Sequence, residues 1–420
     1  MYLKKDIYRF FIHIKILLFY ILILSLNNFQ LLSQSSFTIT YPHSNKTKEF
    51  FNGYLKNGDT IKHGLYRYYY INGILGQIGR LDNNKPDGIW KLYHEDGILK
   101  KIVSYKNGMR NGEYYEFYKD GNIKQFGNFL NDTLEGEFRT YYKDTMESVS
   151  VYVNGKLNGY FRQYRPDGTL AYRIEYRNDS MNGLYESYYD NNQLNYFGIK
   201  KNNEFIDTLM VYYRNNNIQR ICVYENGKLN GRFIGFYENE SIQLVCYYED
   251  GFIEGEYIEY YPNGLVLQKG NYINNKKEGL WQSFYPDSSI YTEGEFNNDY
   301  YDGIWKVYYP FGQLKRVGAY NKGEAVNKWI YYSPIGNYDK FGNYINNKEE
   351  GIWKYYYPNG DIREIIHYKN GLPHGIAWLY EGYKVRQKMG LKEGLPLPIL
   401  TNKSEEEKYG EESDPVIGSQ

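Results

Sequence analysis

Residues 88–111 read GIWKLYHEDGILKKIVSYKNGMRN, and this stretch decides the fold. Ile89 to His94 alternates and is rich in large side chains, the pattern of a strand. Glu95-Asp96-Gly97 follows, and Asp-Gly accepts the positive φ of a tight hairpin turn. Ile98 to Tyr105 reads as a second strand. Lys106-Asn107-Gly108 opens a second turn that runs on to the next glycine-led segment. The stretch is a β-hairpin with a turn at each end.

The same unit recurs in both directions along the chain. Its lead position falls at Gly64, Gly88, Gly112, Gly136, Gly159, Gly183, Asp207, Gly231, Gly255, Gly279, Gly303, Asn327, Gly351 and Gly375, which is fourteen copies, with twelve steps of 24 residues and one of 23. A period this regular means that one supersecondary unit is used repeatedly. The first turn returns as Pro166-Asp167-Gly168, Pro262-Asn263-Gly264 and Pro358-Asn359-Gly360, and the second as Asn154-Gly155, Asn226-Gly227 and Asn370-Gly371. Pro presets φ at the start of a turn and Gly supplies positive φ later in it. With these breaks in phase there is no room for a sustained helical period. The expected fold is all-β: an elongated antiparallel meander of about fourteen 24-residue hairpins, about 28 strands in all.

Aromatic residues keep the same phase. An aromatic stands five residues after every lead position, as in Tyr93, Phe117, Tyr260 and Tyr356. Two residues after the lead the side chain is usually aromatic, and at five places it is tryptophan: Trp90, Trp281, Trp305, Trp329 and Trp353. Another ring recurs in the second strand, as in Tyr105, Phe296 and Tyr344. Positions two and five after the lead have opposite parity, so either both faces of the sheet carry rings or a bulge redirects one set. Asp207 and Asn327 replace the lead glycine, and both residue types tolerate left-handed backbone. The lead position therefore serves the backbone.

The pattern Gly-x-Trp/Tyr-x-x-Tyr/Phe with a following Asp/Asn-Gly, as in Gly303-Ile-Trp-Lys-Val-Tyr308 and Gly351-Ile-Trp-Lys-Tyr-Tyr356, resembles the MORN repeat, in its bacterial MORN-variant form. The resemblance covers residues 50–382. It implies an antiparallel β-array used for scaffolding and protein–protein contact, sometimes with peripheral membrane association, and some bacterial relatives are labelled antitoxins. Asp207 and Asn327 at the lead, Leu209 and Ala377 at the usual aromatic position, and the short step before Gly159 depart from the pattern.

The rest of the chain divides simply. Lys4, Lys5 and Arg9 precede an apolar run to Leu24, which reads as a secretory signal over residues 1–34, with cleavage near Ser33 to Ser35. The alternative is an uncleaved N-terminal anchor, although Phe10 to Leu26 falls short of the roughly 20 residues that span a bilayer. Residues 35–49 form a lead-in and residues 383–420 a polar, partly disordered tail that includes Glu405, Glu406 and Glu407. The expected location is exported, periplasmic or at the cell surface, or membrane-anchored if the signal is retained.

Lys plus Arg and Asp plus Glu are 50 each, so no net field draws the protein to nucleic acid. The six histidines lie beside turns or in the N-terminal segment, and none joins Asp, Glu or Cys at metal-ligand spacing. His367 and His374 lie seven apart across a turn. Cys222 and Cys246 are one repeat apart, at equivalent positions two strand spacings or about 9–10 Å from each other. That exceeds disulfide reach, about 6.8 Å between Cα atoms, so they read as stacked small apolar residues. The glycine-rich stretches lack a phosphate-loop Lys-Ser/Thr, and Asn131-Asp132 lacks the ligand series of a calcium loop. No catalytic residue, cofactor or metal site is expected. The functional expectation is a non-enzymatic binding or scaffolding protein with a protein partner, its contact surface built on Trp90, Trp281, Trp305, Trp329 and Trp353. Alternatives are an exported glycan-binding or membrane-associated structural protein, and, from the resemblance, an antitoxin-like one.

Overall fold

The computed structural model describes residues 34–382 and 384–397. The signal or anchor segment and the acidic part of the tail lie outside the described residues. The chain forms two units, Met1–Asn192 and Gln193–Gln420. All regular structure among the described residues is strand.

In the first unit the strands run in chain order from Ser35–Thr40 to Ser180–Tyr188, each long strand antiparallel to the next long one. In the second they run from Leu194–Lys201 to Leu395–Leu397 in the same way. The fourteen lead positions each lie in one strand and are each followed by another, which yields the 28 expected strands. Ser35–Thr40, Thr47–Lys56 and Leu395–Leu397 add to these, and Thr133–Leu134, Lys156–Leu157 and Phe252–Ile253 are short pieces split from longer strands. Pairing thus begins ahead of residue 50. It also passes residue 382, because Lys384–Lys392 pairs with Leu372–Glu381 and is the second strand of the last hairpin. The polar sequence KVRQKMGLK hid that strand: its backbone pairs while its side chains stay largely in water.

Both turns have a backbone cause. In the second turn two successive residues take positive φ, such as Asn298 at 51° with Asp299 at 70°, or Lys322 at 49° with Gly323 at 84°. This is the type I′ geometry whose twist matches that of the strands it joins. The first turn closes when the residue after the strand accepts from the turn glycine, as Tyr309 O does from Gly312 N at 2.9 Å. Repeats are also stitched to one another. Asp299 N donates to Lys277 O at 3.1 Å, while Lys277 N donates to Asp299 Oδ1 at 2.7 Å.

All fourteen lead residues have positive φ, Asp207 at 60° and Asn327 at 59° included. Register explains why. Glu293 pairs with Lys306 and Glu295 with Asp302, so the single residue Gly294 faces three, Gly303, Ile304 and Trp305. The lead residue sits in this bulge, and its left-handed backbone turns the next side chains. A second irregularity leaves Lys315 unmatched opposite Val307 and Tyr308. Strand Tyr300–Tyr308 keeps its own alternation, with Trp305 and Val307 buried on one face and Lys306 and Tyr308 meeting Glu293 on the other. Both alternatives left open by parity are realised: there are bulges, and both faces carry rings.

Candidate interaction surface

The tryptophan positions are core. Trp90, Trp281, Trp305, Trp329 and Trp353 are all buried, and Trp353 is 0% exposed. This corrects the expectation that they form a contact surface. The physical reason lies eleven residues upstream. Trp281 covers Gly270, Trp305 covers Gly294, Trp329 covers Gly318 and Trp353 covers Gly342, each so closely that a Cβ on the glycine would overlap the indole. The flat ring lies on bare backbone of the preceding strand. Each indole N–H then donates to the carbonyl one residue after that glycine: Trp305 Nε1 to Glu295 O at 2.8 Å, Trp281 to Asn271 O at 3.1 Å, Trp353 to Asn343 O at 3.2 Å. With apolar area covered and the one polar atom satisfied, nothing of the side chain remains to offer a partner.

Rings from the second strand close the other side. Trp281 meets Phe296 at 6.0 Å between centroids and Trp329 meets Tyr344 at 5.9 Å, both edge to face. Such pairs add about 0.5–1.5 kcal/mol beyond area burial. Phe138 lies on Gly127 in the same way, but two other smaller rings have a larger residue beneath them. Phe233 packs on Cys222, and Tyr257 follows Cys246 by the same eleven residues. Cys222 and Cys246 are free, buried thiols in this column of small residues. Burial pushes the Cys246 thiol up to about 11, and Cys222 Sγ lies 3.7 Å from Leu209 O.

A second aromatic set escaped the sequence reading. Six residues after the lead, a tyrosine hydroxyl donates to the main-chain carbonyl of the aromatic one repeat later: Tyr261 to Phe284 O at 2.9 Å, Tyr285 to Tyr308 O at 2.9 Å, Tyr309 to Tyr332 O at 3.0 Å. The signal was present as a Tyr-Tyr or Phe-Tyr pair in phase with the period.

The side chains left to solvent occupy different positions. Ile89, Leu280 and Ile304 stand one residue before buried tryptophans and are 64%, 56% and 64% exposed. Alternation places them on the face opposite the indoles. Phe311 and Ile335, at tips of first turns, are also exposed.

Little else gathers chemistry. No group of three His, Cys, Asp or Glu among the described residues is placed to hold a metal. His367 Nδ1 lies 3.2 Å from His374 O, a side chain meeting backbone. Glu293 receives the Tyr308 hydroxyl at 2.8 Å and Lys306 Nζ at 3.0 Å, and the Tyr308 hydrogen bond holds its carboxyl below the usual carboxylate range. That is a satisfied structural network. Among the described residues no helix is long and apolar enough to cross a membrane.

No curated protein matches the chain. Among solved structures, the TcdB2-TccC3-Cdc42 assembly matches at 10% identity over 85% of this chain and 27% of that one, with a TM-score of 0.12. The TcdB2-TccC3 structure matches at 10% over 87% and 28%, TM-score 0.13. A Photorhabdus luminescens Tc holotoxin pore carrying a TccC3 mutation matches at 10% over 85% and 25%, TM-score 0.14. The chain spans about a quarter of the length of these proteins, and superposition at such scores equates no fold. The family match is of another kind: the MORN repeat variant fits residues 86–107, 110–131, 157–178, 253–274, 277–298, 301–322 and 349–370. Each matched segment holds one lead glycine and the first turn and ends on the first residue of the second turn, so the chain carries MORN-repeat-variant motifs across much of its length.

Proposed function

We propose that this protein is a non-enzymatic scaffold that binds a protein partner through the face opposite its tryptophans. The observation that carries this is the exposure of Ile89, Leu280 and Ile304 at one equivalent position of the repeat. An isoleucine or leucine in water gains nothing for the sheet. At a recurring position it provides apolar contacts at a fixed spacing along a repeat surface. A one-residue shift moves the proposed contact set from the indoles to these side chains and so to the other face. Export is proposed from the N-terminal sequence alone, and the mature N-terminus in a fractionated cell tests it.

The test compares two full-length variants. Leu280→Asp with Ile304→Asp alters only exposed side chains, and its fold should match the parent by circular dichroism. It should lose most of the partner recovered in affinity capture. Arg232→Ala, at the same repeat position but polar in the parent, should keep it. Equal capture by both variants would rule the apolar face out. Binding to an array of sugars with no protein recovered would turn the reading to a glycan ligand.

A further inference from the structure

On the tryptophan face of the second unit, one row of cross-strand neighbours reads Arg316, Tyr331, Lys340, Tyr355, each directly opposite the next in the strand pairing. Lys340 Nζ is ringed by aromatics, 4.8 Å from the Tyr331 centroid, 5.3 Å from Trp353 and 5.8 Å from Tyr355. Arg316 is exposed and lies 6.0 Å from the Trp329 centroid. Neither cation has an ion-pair partner among the described residues. Lys101, at the repeat position of Lys340, does have one: Glu116 stands directly opposite at 3.1 Å. Tyr355 stands at the position of that carboxylate, and Tyr331 flanks Lys340 on the other side. Nearby acids are engaged, with Glu364 held by Arg363 at 3.2 Å and Glu349 accepting from the Tyr344 hydroxyl at 3.4 Å.

We propose that the acidic C-terminal segment of the same chain, residues 405–414, docks along this row and lays its carboxylates against Lys340 and Arg316. The segment carries Glu405, Glu406, Glu407, Glu411, Glu412 and Asp414 against a single lysine, Lys408. Reach permits the contact. From Leu395–Leu397 to the strand Tyr338–Ile345 is five strand spacings, about 24 Å, and to Arg316 two more, about 34 Å. Residues 398–405 span up to about 27 Å when extended, and residues 398–412 about 50 Å. The tether sets an effective concentration near millimolar, so weak charge pairing at a partly dry aromatic surface is enough. Cations two strands apart, about 10 Å, match carboxylates about three residues apart in an extended chain. The contact uses the face opposite Leu280 and Ile304 and stands apart from the reading of that face.

Zero-length carbodiimide cross-linking of the full-length chain at low ionic strength tests it. The expected product joins Lys340 to a glutamate in residues 405–412, in preference to Lys315 or Lys322. Arg316→Gln, a change at an exposed side chain, should lower that product several-fold. Added salt should do the same, because the pairing is screened. In a second full-length variant with Glu405, Glu406, Glu407, Glu411 and Glu412 changed to Gln, amine-reactive labelling of Lys340 should rise several-fold relative to Lys315. Links spread evenly over surface lysines would overturn the proposal. So would links formed only between isotopically distinct copies, or an unchanged labelling rate at Lys340.

Discussion

Two stretches of the second unit solve the same packing problem in opposite ways. Between Gly270 and Trp353, every small position is glycine and every large one is tryptophan. Between Gly198 and Tyr257, the rings are Phe233 and Tyr257, the small positions ahead of them are Cys222 and Cys246, and Leu209 stands over Gly198. Each tryptophan of this column has a glycine beneath it, whereas the smaller rings of Phe233 and Tyr257 leave room for Cys222 and Cys246. The last hairpin inverts the pair, with buried Ala377 at the ring position and Ile366 at the small one. Tryptophan two residues after a lead position is therefore a statement about the glycine eleven residues earlier.

Breaking the tight version should cost most. Gly342→Val puts a branched side chain into an indole that is fully enclosed, and should destabilise the surrounding hairpins by about 3 kcal/mol. Cys246→Val, the same position in the looser stretch, should cost less than about 1.5 kcal/mol. Urea unfolding followed by tryptophan fluorescence and hydrogen exchange measures both. If the two variants lose equal stability, the volume argument fails.

The pair can also be transplanted. Gly318→Cys and Trp329→Phe should each destabilise, while the double variant copies Cys222 with Phe233 and should recover about 1–2 kcal/mol of coupling. Simple additivity would mean that ring and small residue do not act together.

The lead position gives a smaller contrast. Asn327 holds φ 59° with an ordinary side chain. Asn327→Gly should change stability by no more than about 0.5 kcal/mol, whereas Asn327→Val should cost about 1–2 kcal/mol. Smaller again, Tyr309→Phe deletes one hydrogen bond to Tyr332 O and should cost about 1 kcal/mol. Alkali provides an independent check. Burial pushes the Tyr66, Tyr188 and Tyr308 hydroxyls up to about 12. Their raised values favour the fold while the phenols are neutral, fully so below pH about 10. That contribution should fade as the pH rises toward about 12, seen as tyrosinate absorbance appearing together with loss of β circular dichroism. Free titration near the ordinary phenol value in a folded chain would contradict the burial.

These contrasts show which parts of the molecule could be read in the sequence. Turns and lead positions were legible because backbone geometry restricts residue choice at each of them, and Asp207 and Asn327 obey the same rule as glycine. The faces were harder. Aromatic identity fits a contact surface as well as a core, and only the spacing from Gly342 to Trp353 separates the two. The tyrosine that follows the fifth-position aromatic was equally periodic, but its bond is to a carbonyl one repeat away, a contact that needs the stacking of repeats to be seen. Lys384–Lys392 was missed because its side chains are polar while its backbone still pairs.

The central claim is that the tryptophans at the second position after the lead are core. Hydrogen exchange of the indole N–H groups of Trp281, Trp305, Trp329 and Trp353 tests it most directly. Each is bonded to a carbonyl under a buried ring, so exchange should be slowed by orders of magnitude and should follow unfolding of the hairpins. Exchange of these indoles at the rate of a free tryptophan in water, in a folded chain, would contradict the account.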